Sequence, residues 1–158
     1  MSASLVPATS ADAIRAVREL LVEYAAGLGL DLSFQGFEDE LAGLPGAYAP
    51  PRGRLLLARV DAAAAGCVGL RPLADDTCEM KRLYVRPAFR GRGLGALLAG
   101  AAIREARGAG YARMRLDTLP AMRTARDLYR RLGFREIPAY YDCPLDGTVF
   151  LERDLRHD

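Results

Sequence analysis

The chain has 158 residues, of which 51% are hydrophobic and 27% charged, with 16 glycines and 9 prolines. That is one domain's worth of sequence with enough apolar content to bury a core, and it excludes a disordered, collagen-like or fibrous chain. A net charge of +2 without arginine–aromatic alternation gives no reason to expect nucleic acid, and the longest internal charge-free stretch, Gly93 to Ile103, falls well short of the ~20 residues that span a bilayer, so no membrane partner is expected either.

In chain order, Ser4 to Pro7 reads as a short strand. Thr9, with Asp12 three residues on, reads as a capping-box helix start. Ile14, Val17, Leu21 and Tyr24 recur at helical spacing until Gly27 and Gly29 stop the helix. A second short helix is expected from Phe34 to Ala42, then a proline-rich loop from Leu44 to Arg52. Arg54 to Val60 and Cys67 to Pro72 read as strands joined by a turn, although Ala62 to Ala65 favours helix by propensity. Thr77 to Val85 is a third strand of this run. Its apolar positions change phase, Cys78 and Met80 on one alternation and Leu83 and Val85 on the other, which predicts a bulge near Lys81 or Arg82.

A glycine-rich turn follows Arg86-Pro87 and leads into a helix from Leu94 to Arg107. Arg113 to Asp117 alternates as a strand. Pro120 suits the first turn of a further helix carrying Met122, Ala125, Tyr129 and Leu132 on one face, closed by Gly133. Phe134 to Ile137 and Thr148 to Arg153 complete the set as strands. The order βααβββαβαββ implies one α/β (α+β) domain over residues 1–158, with a mixed sheet and a central pair of strands made parallel by a right-handed crossover.

The scarce residues narrow the chemistry. His157 is the sole histidine and lies beside the C-terminus, so Ser-His-Asp and Cys-His sites have no internal imidazole. Cys67, Cys78 and Cys143 lack paired spacing, which leaves no zinc motif and no metal expected. An odd number of thiols behind a start without a signal-like pattern predicts a reduced, cytoplasmic protein. Lys81 is the only lysine, so arginine supplies 21 of the 22 basic side chains. The arginines concentrate from Arg82 to Arg135, whereas Asp31 to Glu40 is acidic, an asymmetry suited to an anionic ligand in mid-chain and a cationic or neutral one nearer the start.

The segment Arg90-Gly91-Arg92-Gly93-Leu94-Gly95-Ala96 concentrates that expectation. Glycines between a strand and a helix start let backbone N–H groups face an anion at the positive helix end, and two arginines flank them. A diphosphate fits such a turn better than mere close packing does. Gly91-x-Gly93-x-x-Ala96 also satisfies the dinucleotide fingerprint, with Asp117 where a ribose-binding acid would sit. Position counts against that reading, since about 80 residues precede the motif and about 60 follow, whereas a dinucleotide fold opens at its fingerprint strand. A nucleotide loop of the Walker type would need a lysine after the glycines, and there is none.

Arg90-x-x-Gly93-x-Gly95, after a strand ending Leu83-Tyr84-Val85-Arg86-Pro87, resembles the coenzyme A signature of the Gcn5-related N-acetyltransferases (GNAT). Ala125-x-x-Leu128-Tyr129-x-x-Leu132-Gly133-Phe134-x-Glu136 resembles a second motif of the same superfamily, and the element order resembles its fold along essentially the whole chain. The resemblance implies helices on both faces of a sheet with splayed central strands, and direct transfer of acetyl from acetyl-coenzyme A to a primary amine. It further implies that pantetheine pairs with strand amides at Leu83 to Val85, Tyr84 lying between them, and that Arg90, Gly91, Arg92, Gly93, Leu94, Gly95 and Ala96 hold the pyrophosphate. Glu79 is then the expected base and Tyr129 the hydroxyl facing the sulfur.

The loop between the first two helices and the segment before the last strand would close over the acceptor, implying Phe34, Gln35, Phe37 and Glu38 with Tyr140, Tyr141 and Asp142. An aromatic and acidic wall suits a cationic amine. Met122 stands where the family often has an asparagine for the pantetheine. Asp117 reads as a capping or structural acid and Cys143 as a bystander. A small-molecule amine is preferred as acceptor over a protein amine, and self-association as a homodimer stays open. The alternatives are a coenzyme A sensor without turnover and a dinucleotide-binding protein.

Overall fold

The computed structural model describes residues 2–29, 32 and 36–157. The elements are β1 (Ala3–Pro7), α1 (Ala11–Leu28), α2 (Phe37–Ala42), β2 (Arg54–Val60), β3 (Ala63–Pro72), β4 (Thr77–Val85), α3 (Leu94–Gly108), β5 (Arg113–Thr118), α4 (Arg123–Arg131), β6 (Arg135–Ile137) and β7 (Val149–Asp154). They follow the expected order, with one seven-stranded sheet arranged β1-β2-β3-β4-β5-β7-β6.

Alternation along β2 explains the layers. Leu55 and Leu57 pack with Val17, Leu20, Leu21 and Phe37 on the α1–α2 side, while Leu56 and Ala58 join Leu98, Ala102 and Tyr129 on the α3–α4 side. Helices therefore cover both faces, as a sheet apolar on two sides demands.

Several boundaries move for local reasons. Ser10, one residue beyond Thr9, caps α1 by accepting from the Ala13 N–H at 3.1 Å. Gly27 stays within α1, and Gly29 at φ 64° supplies the left-handed stop. The alanines after residue 62 extend β3, because Asp61 and Ala62, at φ 48° and 74°, make a tight hairpin turn that pairing with β2 rewards more than helix propensity does. Pro120 lies in a turn before α4, whose first helical residue is Arg123.

The central feature is the pairing of β4 and β5. They run parallel and share only Thr77↔Arg113, Cys78↔Met114 and Glu79↔Arg115. Beyond Glu79 the strands part. On its other side β4 pairs with β3 through Lys81↔Gly69 and then Tyr84↔Cys67, so β4 carries one extra residue there. Arg82 takes φ 63°, a left-handed conformation that costs a non-glycine residue about 1–2 kcal/mol. The bulge thus falls where the phase break predicts it and re-aims the side chains that follow.

Candidate active site

On one flank of the splay, a short turn from Pro87 to Phe89 delivers the chain to Gly91 and Gly93, both with positive φ. Gly93 is the N-cap of α3 and supplies no side-chain hydrogen bond to it, so the first N–H groups of the helix stay open to a ligand. No atom lies within 4 Å of where a Cβ would stand at Gly91 or Gly93, so the approach to these amides is clear. Arg90 donates from Nε to the Val85 carbonyl at 3.0 Å and lies over the Tyr84 ring at 5.9 Å, while Arg92 covers the Phe89 ring at 5.6 Å. Leu94 anchors the helix start in the core, Gly95 is half-buried and Ala96 exposed.

Between the parted strands a cleft is lined by Lys81, Leu83, Asp117, Met122 and Tyr129, among others. Tyr129 is buried with its ring edge-on to Phe134 at 5.7 Å, and burial pushes its phenol above the ordinary pKa, so it stays protonated. Met122 faces the cleft and its sulfur accepts from the Thr118 hydroxyl at 3.7 Å.

The other flank is a charge network. Glu79 is only 2% exposed. Its Oε1 accepts from Arg71 Nε at 3.0 Å, and its Oε2 accepts from the Tyr140 hydroxyl at 2.6 Å. Arg82, turned by the bulge, donates to both oxygens of Glu40 at 2.9 and 3.0 Å and lies over the Phe37 ring at 5.0 Å. Tyr48 donates to the same carboxylate at 3.0 Å, its ring occupying the space that a side chain at Gly69 would fill. Burial would raise the Glu40 carboxyl, but the hydrogen bonds and charge of Arg82, with Tyr48 and Arg71, hold it below the ordinary value. Asp117 accepts from the Tyr141 hydroxyl and faces Lys81 Nζ at 3.9 Å. Arg115 bonds Glu152 at 2.9 Å and lies 5.6 Å from the Tyr140 ring centre.

Glu79, Tyr140 and Tyr141 therefore do converge, with Tyr129 and Leu83 in the adjoining cleft. Phe37 reaches the network from below, as a buried ring under Arg82, whereas Glu38 is exposed; the acid that α2 sends inward is Glu40. Phe34 and Gln35 lie outside the described residues. Asp117 caps no helix and belongs to the cleft, and its carboxylate is engaged by Lys81 and Tyr141. Asp142 is exposed, and Cys143 contacts the Thr148 hydroxyl at 3.4 Å. Sequence reasoning missed Glu40, Arg71, Lys81 and Arg82 as a group. Two signals pointed there: the phase break at Arg82 and the only lysine in the chain. Among the described residues, no group of three or more His, Cys, Asp or Glu is arranged to hold a metal ion.

Known proteins share this fold. An acetyltransferase of the GNAT family from Staphylococcus aureus superposes with a TM-score of 0.81 at 20% identity, covering 98% of this chain and 99% of that one. A GNAT acetyltransferase from Elizabethkingia anophelis, solved with acetyl-CoA bound, gives 0.69 at 22% identity, covering 96% and 97%. In sequence, an uncharacterized N-acetyltransferase of Schizosaccharomyces pombe is 41% identical over 138 residues, 86% of this chain and 85% of that protein. The Acetyltransferase (GNAT) family matches residues 14–134, the stretch that contains β4, the glycine turn and α4. With its splayed central strands and glycine turn, the chain belongs to the GNAT family of acetyltransferases.

Proposed function

We propose that the protein transfers acetyl from acetyl-coenzyme A directly to a primary amine of a small molecule, as a soluble enzyme of the cytoplasm. The observation that carries this reading is the end of β4–β5 pairing at Glu79↔Arg115, beyond which a cleft lined by Lys81, Leu83, Asp117 and Tyr129 opens along the stretch of β4 that leads into the glycine turn. Amides from Gly91 to Ala96, with Arg90 and Arg92, offer donors and charge to a diphosphate. The backbone of Leu83, Tyr84 and Val85 borders the gap where an extended amide chain would pair. Acetyl-coenzyme A, when bound, supplies a thioester whose carbonyl is open to an amine.

The protein's part is then to move protons. An acceptor ammonium must lose one before its nitrogen can attack. Both oxygens of Glu79 are engaged, so the proton leaves through the Tyr140 hydroxyl or an ordered water, with Glu79 as its destination. After attack the nitrogen's remaining surplus proton neutralises the departing thiolate, and Tyr129, kept neutral by burial, donates a hydrogen bond to that sulfur. Met122 gives the pantetheine an apolar contact in place of the family's amide. Tyr140 and Tyr141 bound the acceptor side, and the charged groups behind them are already paired, so they orient a small amine without requiring a highly cationic one. Three unpaired thiols, Cys67, Cys78 and Cys143, support a reducing compartment.

Thermal unfolding with and without acetyl-coenzyme A, followed by thiol release over a panel of primary amines, tests the assignment. Ligand at a hundred times Kd is expected to add about 2.7 kcal/mol of stability, and at least one amine to free coenzyme A above background. Protection by NAD and not by acetyl-coenzyme A would overturn it. Protection by acetyl-coenzyme A without thiol release from any amine would leave a coenzyme A sensor instead.

A further inference from the structure

Lys81 is the one strongly nucleophilic amine on the side chains of this molecule, and the fold places it inside the cleft. Its side chain is 5% exposed, it lines the gap with Leu83 and Tyr129, and Asp117 faces it from β5 at 3.9 Å. Lysines are rarely buried, because an ammonium loses most of its hydration there; where one is buried, a specific interaction compensates or the amine is neutral part of the time. The surrounding charges are Glu79 and Arg82 on β4, Arg71 on β3 and Asp117 on β5, and the net outcome is that burial pulls the Lys81 ammonium below its ordinary pKa against the two carboxylates. The proton transfers described above leave Lys81 unused.

We infer that Lys81 is a site of self-acetylation, its Nζ taking the acetyl group from acetyl-coenzyme A held in the cleft when no acceptor amine is present. The inference rests on the proposed binding of acetyl-coenzyme A between β4 and β5. In the step, the ammonium first gives a proton to Asp117 or solvent. The neutral nitrogen then attacks the thioester carbonyl, the N–C bond forms and the C–S bond breaks, and the nitrogen's remaining surplus proton neutralises the thiolate. Lysine and acetyl-coenzyme A become an amide, free coenzyme A and one released proton, with no other reactant. The product has lost its charge, so Asp117 loses its ionic partner and the cleft is partly filled. Self-acetylation therefore lowers subsequent turnover with an external amine.

The single lysine makes the test clean. Purified protein is incubated with acetyl-coenzyme A alone, and intact mass, peptide mapping and free thiol are measured beside the thermal midpoint. The expected result is a mass gain of one acetyl group per chain, mapped to Lys81, with an equal amount of thiol released and with suppression by excess coenzyme A. Lys81→Arg, which keeps the charge, should show no gain while acetyl-coenzyme A still raises its midpoint. A wild-type midpoint raised by acetyl-coenzyme A with the mass unchanged overturns self-acetylation and leaves the proposed cofactor site standing. So does an acetyl group found on the N-terminus alone, or one that excess coenzyme A does not suppress. An unraised midpoint with no mass gain overturns both readings together.

Discussion

The two flanks of the cleft are built in opposite ways. The glycine turn after β4 is exposed, contiguous in sequence and made of backbone: Gly91 and Gly93 hold left-handed conformations, and α3 begins without a side-chain cap. The opposite flank is buried or half-buried and made of side chains drawn from α2, the turn before β2, β3, β4, β5 and the segment before β7. Its carboxylates all have partners: Glu40 with Arg82 and Tyr48, Glu79 with Arg71 and Tyr140, Asp117 with Lys81 and Tyr141. A backbone cradle suits a ligand portion common to every turnover, since amides recognise phosphate whatever the side chains around them. A network of paired charges suits the variable portion, where shape and protonation of the acceptor must be set.

The difference predicts that damage to the buried flank is structural as well as chemical. Glu40→Ala leaves the Arg82 guanidinium buried without its bidentate partner, and breaking such a pair costs about 3–5 kcal/mol. Urea unfolding should show that loss, and a shift below about 0.5 kcal/mol would mean the network contributes little to holding the bulge. Glu79→Gln keeps shape and removes the proton acceptor, so kcat should fall by about 10²–10³ near neutrality. Because a more basic medium supplies the amine already neutral, the deficit should shrink as pH rises. A deficit independent of pH would remove Glu79 from the role of base.

The same contrast explains what the sequence disclosed. The glycine turn was legible because its chemistry lies within a few consecutive residues, and the bulge because a period-2 pattern must break when one residue is inserted. The network was not, because its bonds join residues 42 apart for Glu40–Arg82 and 61 apart for Glu79–Tyr140, and no local pattern reports such pairing. Glu38 is expected at the acceptor wall, but without the helix phase the sequence does not show which acid turns inward: α2 starts at Phe37, and the residue it sends toward Arg82 is its fourth, Glu40, not its second. For Asp117 the sequence leaves capping and a structural role open, and the structure decides for the second: its carboxylate is held by Lys81 across the gap between β4 and β5 and by Tyr141.

On the exposed flank the expected effects are smaller and separable from folding. Gly93→Ala places a Cβ on a residue at φ 78°, at a cost of about 1–2 kcal/mol, with no atom close enough to clash. Acetyl-coenzyme A affinity should fall about tenfold as the turn relaxes toward ordinary φ, while kcat at saturation changes little. Equal loss in kcat would place the turn's influence on the reacting groups instead of on the phosphates.

The smallest effect returns to Glu40, whose folded-state pKa is lowered, chiefly by Arg82 working against burial. A carboxylate depressed on folding contributes stability that is complete above its unfolded pKa, near 4.5, and is lost as pH falls through the lower folded value, since the unfolded chain binds the proton first. Wild-type stability should therefore decline on acidification below about pH 5 more steeply than that of Glu40→Gln, whose neutral amide has no proton to bind. The slopes are compared within each protein, so the overall weakness of the variant does not enter. Parallel curves would show that the Glu40 charge contributes little to the stability of the network, and the buried flank would then owe its order to packing around Phe37 and Tyr48.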